Sequence, residues 1–349
     1  MGQSVLWGMR MTIGIGLIGC GYWGPNLLRN FHANPKARVV AVADRDAARR
    51  RFVEQRYPGV GTVEDHRWIL DDPEIDAVVV ATPAATHGVL AREALEKGKH
   101  VLVEKPLAMS GEEAAALVEL AEARGLVVMP GHTFLYNAAV EALKRYVDEG
   151  TLGEIYYLYS QRLNLGIVRS DVNAMWNLAP HDVSIVLHLF GESPGSVSAQ
   201  GACYLQEGIE DVVFMDLRFP SGRLAHIHVS WLDPGKVRRM TVVGSERMCV
   251  YDDIAEAKIA LYDRGIDRHF KQPADYGLHQ LVKRAGDILL PKIDFVEPLA
   301  KETAAFLQAV ESGEPPLADG PSGLEVVRVL EACQRSLEAE GRPIALAAS

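Results

Sequence analysis

The sequence predicts an α/β protein in two parts: a parallel sheet wound with helices, then an α+β domain with a mostly antiparallel open sheet. Three observations carry this. Over residues 11–133, short and nearly all-apolar runs alternate with helix-compatible stretches, the order that a parallel sheet with helices on both faces needs. Beyond Thr133 the pattern changes to period-two runs separated by turn residues such as Pro220-Ser221-Gly222 and Gly244-Ser245-Glu246, which reads as consecutive antiparallel strands. The first apolar run ends in a Gly-x-Gly-x-x-Gly turn. With 349 residues two domains are expected, at 11–133 and 134–349, after a frayed tail at 1–10.

Taken in order, strands are predicted at 13–18, 38–43, 76–81, 100–104 and 126–130. Helices are predicted between them at 24–32, 45–57, 87–97 and 111–124. The runs at 76–81 and 100–103 have the near-continuous apolar character of strands buried on both faces. In the second domain a helix at 137–150 ends on Gly150. Period-two strands then follow at 154–162, 196–204, 211–219, 223–231, 237–243 and 247–251. A helix at 175–189 interrupts them, and helices at 297–312 and 321–340 close the chain. Residues 262–296 are polar with few signals and are expected to form a loop reaching toward a partner subunit.

The turn after the first strand is Gly19-Cys20-Gly21-Tyr22-Trp23-Gly24. Gly19 permits the tight turn, Gly21 lets backbone approach a pyrophosphate, and Gly24 lets the helix pack closely on the strand. The helix that follows offers unpaired N–H groups to phosphates. Strand before, helix after and an acid downstream form the context of a Rossmann dinucleotide-binding site. The acid is Asp44, which closes the second strand 25 residues after Gly19. There a carboxylate accepts bonds from the ribose hydroxyls of NAD and repels the 2′-phosphate of NADP. Arg45 pulls the other way, since an Arg nearby can hold that phosphate. Asp44 can also be read as a cap of the helix starting near Asp46.

The bulk numbers exclude several classes. A net charge of −10 argues against nucleic-acid or anionic-membrane binding. No run of 18 apolar residues is present to span a bilayer, and the start lacks the long apolar core of a secretory signal. Cys20, Cys203, Cys249 and Cys333 are scattered without paired spacing, which fits a reducing cytoplasm and neither a disulfide frame nor a zinc site. His226 and His228 share one strand face, but further ligands are not evident, so no metal is expected.

The combined motifs resemble those of the Gfo/Idh/MocA oxidoreductases over residues 11–349. They are the glycine turn, Ala81-Thr82-Pro83 with His87, Glu104-Lys105-Pro106, and Asn177-Leu178-Ala179-Pro180-His181-Asp182. The closing segment from Gly323-Leu324 to Pro343-Ile344 is similar as well. The resemblance implies NAD as cofactor and catalytic roles for Lys105 and His181. It places Gly19, Gly21, Tyr22, Trp23, Gly24, Asp44, Arg45, Thr82, Pro83, His87, Glu104 and Lys105 around the cofactor. Many members carry Asp four residues before the His; here Asn177 stands there. Members resembling nucleotide-sugar 3-dehydrogenases often carry Asn at that place. The strings GYWGPNLLRN and WNLAPHD look like a branch associated with surface-polysaccharide sugars.

Oxidation of a secondary alcohol needs a base for the hydroxyl proton and a positive donor for the developing alkoxide. Lys105 follows a strand at the edge where such sheets bind ligands, although a lysine beside a turn can be merely superficial. Asn177 and His181 are four apart and share a helix face, with Asp182 turned away by about 100°. His181 can take a proton near neutral pH, or it can be a buried and satisfied histidine. Arg162, Asn164, Asn177, His181 and Asp182, with Asp171 nearby, are the substrate candidates. The expected reaction is hydride transfer between a sugar or nucleotide sugar, at its C3 hydroxyl, and NAD. The alternatives are an inositol or cyclitol dehydrogenase, a ketosugar reductase, or a non-catalytic NAD-sensing regulator. A homodimer or homotetramer is expected, because alternation leaves the second sheet an apolar outer face.

Overall fold

The computed structural model of the chain describes residues 12–269 and 280–346; the tail expected at 1–10 lies outside them. β1 (Ile13–Ile18) is buried at every position, as a strand covered on both faces must be. Its glycine turn opens α1 (Gly24–Ala33), with Pro25 in the first turn, where no backbone N–H is needed. There follow β2 (Ala37–Ala43), α2 (Ala47–Arg56), β3 (Gly61–Val63), α3 (Arg67–Asp71) and β4 (Ala77–Val80). Next come α4 (His87–Glu96), β5 (His100–Val103), α5 (Gly111–Arg124) and β6 (Val128–Pro130). The six strands form one sheet in the order β3-β2-β1-β4-β5-β6, parallel at every pair. The chain leaves β1 first toward β2 and then crosses to β4, so the switch point lies at the carboxyl ends of β1 and β4. β3 and α3 are additions to the expected order. They are short, and the half-exposed Gly61-Thr62-Val63 lacks an apolar run to announce it.

The second half begins with α6 (Ala138–Asp148), capped by the Asn137 side chain, which accepts from the Ala139 N–H at 2.9 Å. β7 (Ile155–Leu163), α7 (Ala174–Phe190), β8 (Ser196–Ala202), β9 (Val212–Arg218) and β10 (Leu224–Ser230) follow. β11 (Val237–Gly244) and β12 (Met248–Asp252) come next. The region expected as a loop instead supplies β13 (Ile259–His269) and β14 (Gln280–Leu289), paired antiparallel. Ile259 and Leu261 at the start of β13 are buried, but Ile266, Ile288 and Leu289 are exposed, so apolar burial marks only the beginning of these strands and hydrophobic periodicity gave little sign of the rest. With β15 (Ile344–Ala345) the sheet runs β14-β13-β12-β11-β7-β10-β9-β8-β15. Its described pairs are antiparallel except β7 with β10. Alternation is clean: Val213, Met215, Leu217, Ala225, Ile227 and Val229 are buried, and α7 packs along β10, β7 and β9.

The chain closes with α8 (Pro298–Ser312) and α9 (Gly320–Glu338). It divides into two compact units, Met1–Tyr136 with Glu297–Arg328, and Asn137–Val296 with Val329–Ser349. The expected single boundary near Thr133 is thus only the first of several crossings. α8 belongs to the first unit: Phe306 meets Phe31 of α1 edge to face at 6.2 Å, and Lys36 pairs with Glu311 at 2.6 Å. Gly320 and Gly323 lie against Val128 and Pro130 of β6.

Candidate active site

The glycine turn behaves as its spacing requires. Gly19 has φ +94°, and a Cβ there would lie 2.8 Å from the Ala81 carbonyl oxygen. A Cβ on Gly24 would lie 2.3 Å from the Gly19 carbonyl oxygen, so the helix start presses on the turn. A Cβ on Gly21 would meet nothing within 4 Å, which leaves its backbone open to a ligand. Asp44 is tied to this turn: its carboxylate accepts the Cys20 N–H at 2.7 Å and the Asp46 N–H at 2.8 Å. The helix cap is a separate residue, Asp46, which accepts from the Ala48 N–H. Arg45 is exposed. Open backbone at Gly21, a helix start beyond it and an acid at the end of β2 fit a dinucleotide. Cys20 is fully buried and burial pushes its thiol up to about 11, so it is a packing residue.

Glu104 and Lys105 stand at the carboxyl end of β5, and the Lys105-Pro106 peptide is cis. The Glu104 carboxyl accepts the Lys105 N–H at 3.3 Å and a bond from the Trp23 indole, which links this segment to the glycine turn. Tyr22 and Trp23 are otherwise solvent-facing. Thr82 is half-buried and Pro83 exposed beyond β4. His87 is buried, with its ring nitrogens 2.7 Å from the Pro106 carbonyl oxygen and 2.9 Å from that of Thr82. Its imidazole therefore ties together the two segments that follow β4 and β5.

In the second unit, Asn173 caps α7, its side chain accepting the Trp176 N–H at 3.0 Å. The helix runs through Pro180, and Asn177 and His181, four apart, are both partly exposed. Asp182 faces the interior. It accepts from Ser160 Oγ and Arg162 Nε, each at 2.5 Å, and Asp182 and Arg162 are nearly fully buried. Such a pair is a fixed element of the fold: removing one member strands a buried charge, a loss of about 3–5 kcal/mol. Asn164 is half-buried, and its side-chain oxygen has no protein partner among the described residues. Asp171 is paired with Arg169 at 2.6 Å on the surface. His226 pairs with Asp216 at 2.9 Å and His228 stacks on Phe214. Among the described residues no group of three or more metal-binding side chains occurs.

Sequence reasoning did not single out His132 or Glu302. Both are fully buried in the first unit, with Glu302 accepting from Thr133 Oγ1 at 2.9 Å. Burial and the Lys105 charge push His132 down to about 3. Burial pushes the Glu104 carboxyl up to about 7, against the pull of Lys105. Glu302 was readable only as a polar position on the inner face of an amphipathic helix.

Comparison with known proteins places the chain in a family. Residues 13–132 match the oxidoreductase family with an NAD-binding Rossmann fold, and residues 140–250 match the GFO/IDH/MocA C-terminal domain. The chain is 30% identical to scyllo-inositol 2-dehydrogenase (NAD(+)) of Bacillus subtilis, covering 67% of this chain and 71% of that one. It is 29% identical to UDP-N-acetylglucosamine 3-dehydrogenase of Acidithiobacillus ferrooxidans, covering 89% and 93%. The solved structure of the latter superposes with a TM-score of 0.80 over 95% of this chain and 99% of that chain. Myo-inositol 2-dehydrogenase of Thermotoga maritima is 26% identical over 93% and 96%. The chain belongs to the Gfo/Idh/MocA family and is an NAD-binding oxidoreductase. No helix among the described residues is long and apolar enough to cross a membrane.

Proposed function

We propose that this protein oxidises the C3 hydroxyl of a nucleotide sugar, with Lys105 and His181 as its catalytic residues. The observation that carries the site is Lys105 at the carboxyl end of β5, in the same unit as the glycine turn and joined to it through Glu104 and Trp23. NAD, held by Gly19, Gly21, Gly24 and Asp44, supplies the hydride acceptor. The Lys105 ammonium stabilises the developing alkoxide, and His181 takes the hydroxyl proton. Asn177, one turn before His181, orients substrate or the imidazole and cannot act as a base. Asn164, half-buried just past β7, is a candidate to meet a sugar hydroxyl, while Arg162 and Asp182 hold β7 to α7. The nucleotide-sugar reading is supported by Asn177 and by the similarity to a UDP-N-acetylglucosamine 3-dehydrogenase over nearly the full length. A cyclitol dehydrogenase is the second reading, favoured by the inositol dehydrogenases among the relatives.

Turnover is followed by the absorbance of reduced nicotinamide with UDP-sugars, free sugars, and myo- and scyllo-inositol. Oxidation of inositols alone sinks the nucleotide-sugar reading, and NAD binding without turnover of any of them favours a sensor. Lys105→Met and His181→Ala should each lower turnover by at least ~100-fold, the scale of losing one acid–base or oxyanion partner. NAD binding by calorimetry should survive both. Near-native turnover in either variant assigns that residue to structure.

A further inference from the structure

α1 and α2 of the first unit border a groove that dinucleotide binding does not use. α1 turns Leu27, Leu28 and Phe31 to the core. That leaves Asn26, Arg29 and His32, spaced by three, as a stripe along its other side. Val53 is the buried residue of α2, and Phe52, Gln55 and Arg56 form a second stripe, three and four apart. These six side chains line one cavity of about 870 Å³, within the ~300–1,000 Å³ range of small-molecule sites. Gly19, Gly21, Gly24 and Asp44, assigned above to the cofactor, are not among its lining residues.

The groove is cationic in a chain whose net charge is −10. Among the described residues no carboxylate lines it. Arg29 is paired with Glu297 at 3.0 Å, so its charge is met within the fold. Arg56 is exposed and has no carboxylate partner among the described residues. One turn before it, Phe52 keeps its ring 38% exposed, although the adjacent Val53 is the residue that serves the core. The His32 ring stands edge to face on Tyr57 at 5.0 Å, which fixes one wall.

We infer that this groove is a second nucleotide site, which binds a nucleoside phosphate separately from the cofactor. Phe52 stacks on the base, and the Arg56 guanidinium forks onto the phosphate. The side-chain amides of Asn26 and Gln55 each bring donors and an acceptor to the edge of the base. A bare anion would use Arg56 alone and leave the Phe52 ring in water. The site is independent of the substrate and stands equally for a nucleotide sugar and for a cyclitol.

The test titrates AMP by calorimetry into the full-length protein at saturating NAD, so that the cofactor site is already filled. Saturable binding is expected. Arg56→Gln should weaken it by at least ~10-fold, the scale of one charge-assisted hydrogen bond. Phe52→Ala should weaken it by about 10-fold, the scale of one lost base–aromatic stack. Both side chains are exposed, so both variants should keep the wild-type melting temperature and NAD affinity. Inorganic phosphate, titrated in the same way, should bind more weakly than AMP and be indifferent to Phe52→Ala. No saturable AMP binding to the NAD-saturated protein, AMP binding that both variants leave unchanged, or phosphate binding as tight as that of AMP each overturns the inference.

Discussion

Asp44 accepts two backbone N–H bonds, one from Cys20 of the glycine turn and one from Asp46, which leaves its position little freedom and holds its negative charge at the end of β2. That charge disfavours a 2′-phosphate. Asp44→Ala should therefore narrow the difference between NAD and NADP affinity, measured by calorimetry. An unchanged ratio would move the discrimination to Arg45 or beyond. His132 gives a prediction of another kind. Its folded pKa, near 3, lies below the unfolded value of about 6.5. The unfolded chain thus takes up a proton as pH falls through 6.5, and the folded chain does not. This contribution to stability is fully present above about 6.5 and is lost as pH drops toward 3. His132→Leu should flatten the fall of stability across that window by about one proton, or roughly 1.4 kcal/mol per pH unit. Urea unfolding at several pH values reads the slope, and an unaltered slope would place the imidazole in water.

At the level of elements, α8 shows how a helix distant in sequence completes a domain. Phe306 is fully buried against Phe31. Phe306→Ala should cost about 3–5 kcal/mol, the range for emptying a buried aromatic site. A loss below about 1 kcal/mol in denaturant unfolding would show that α8 is dispensable to the first unit's core. α7 illustrates a different logic. The helix expected at 175–189 was legible, and its cap Asn173 and left-handed end at Gly191 depend only on neighbours within a few residues. The inward turn of Asp182 onto Arg162 and Ser160 depends on β7 lying beneath, which no local pattern encodes. β13 and β14 were invisible for the same reason. Their strand state comes from ladder pairing, β13 with both β12 and β14, and beyond Leu261 the sequence carries little apolar alternation.

Across the whole molecule, the outer face of the second unit's sheet carries Tyr157, Tyr159, Phe214 and Leu224, all exposed. Register makes Leu224 a neighbour of Tyr157, and His228 of Phe214, so the patch is continuous across β7, β10 and β9. A continuous apolar sheet face left in water invites association, and closed symmetry is its usual resolution. Light scattering should give at least twice the 38.2 kDa chain mass, and Phe214→Asp should shift the particle toward the monomer. A soluble wild-type monomer would remove this face from the assembly.

The sequence by itself determined the parallel-then-antiparallel order, the roles of Gly19, Gly21 and Gly24, the placing of Asp44 and Lys105 at strand ends, and the sharing of one helix face by Asn177 and His181. These follow from steric freedom at glycine and from the periods of strand and helix, which act over a few residues. Tertiary structure alone decided that α8 returns to the first unit, that Arg162 and Asp182 neutralise each other, that the His87 ring turns inward, and that Glu104 and Glu302 are each buried. Each of these depends on what lies across the interior. Burial and opposing charge are properties of the assembled surroundings, and a chain position carries no mark of them until the fold brings its neighbours within reach.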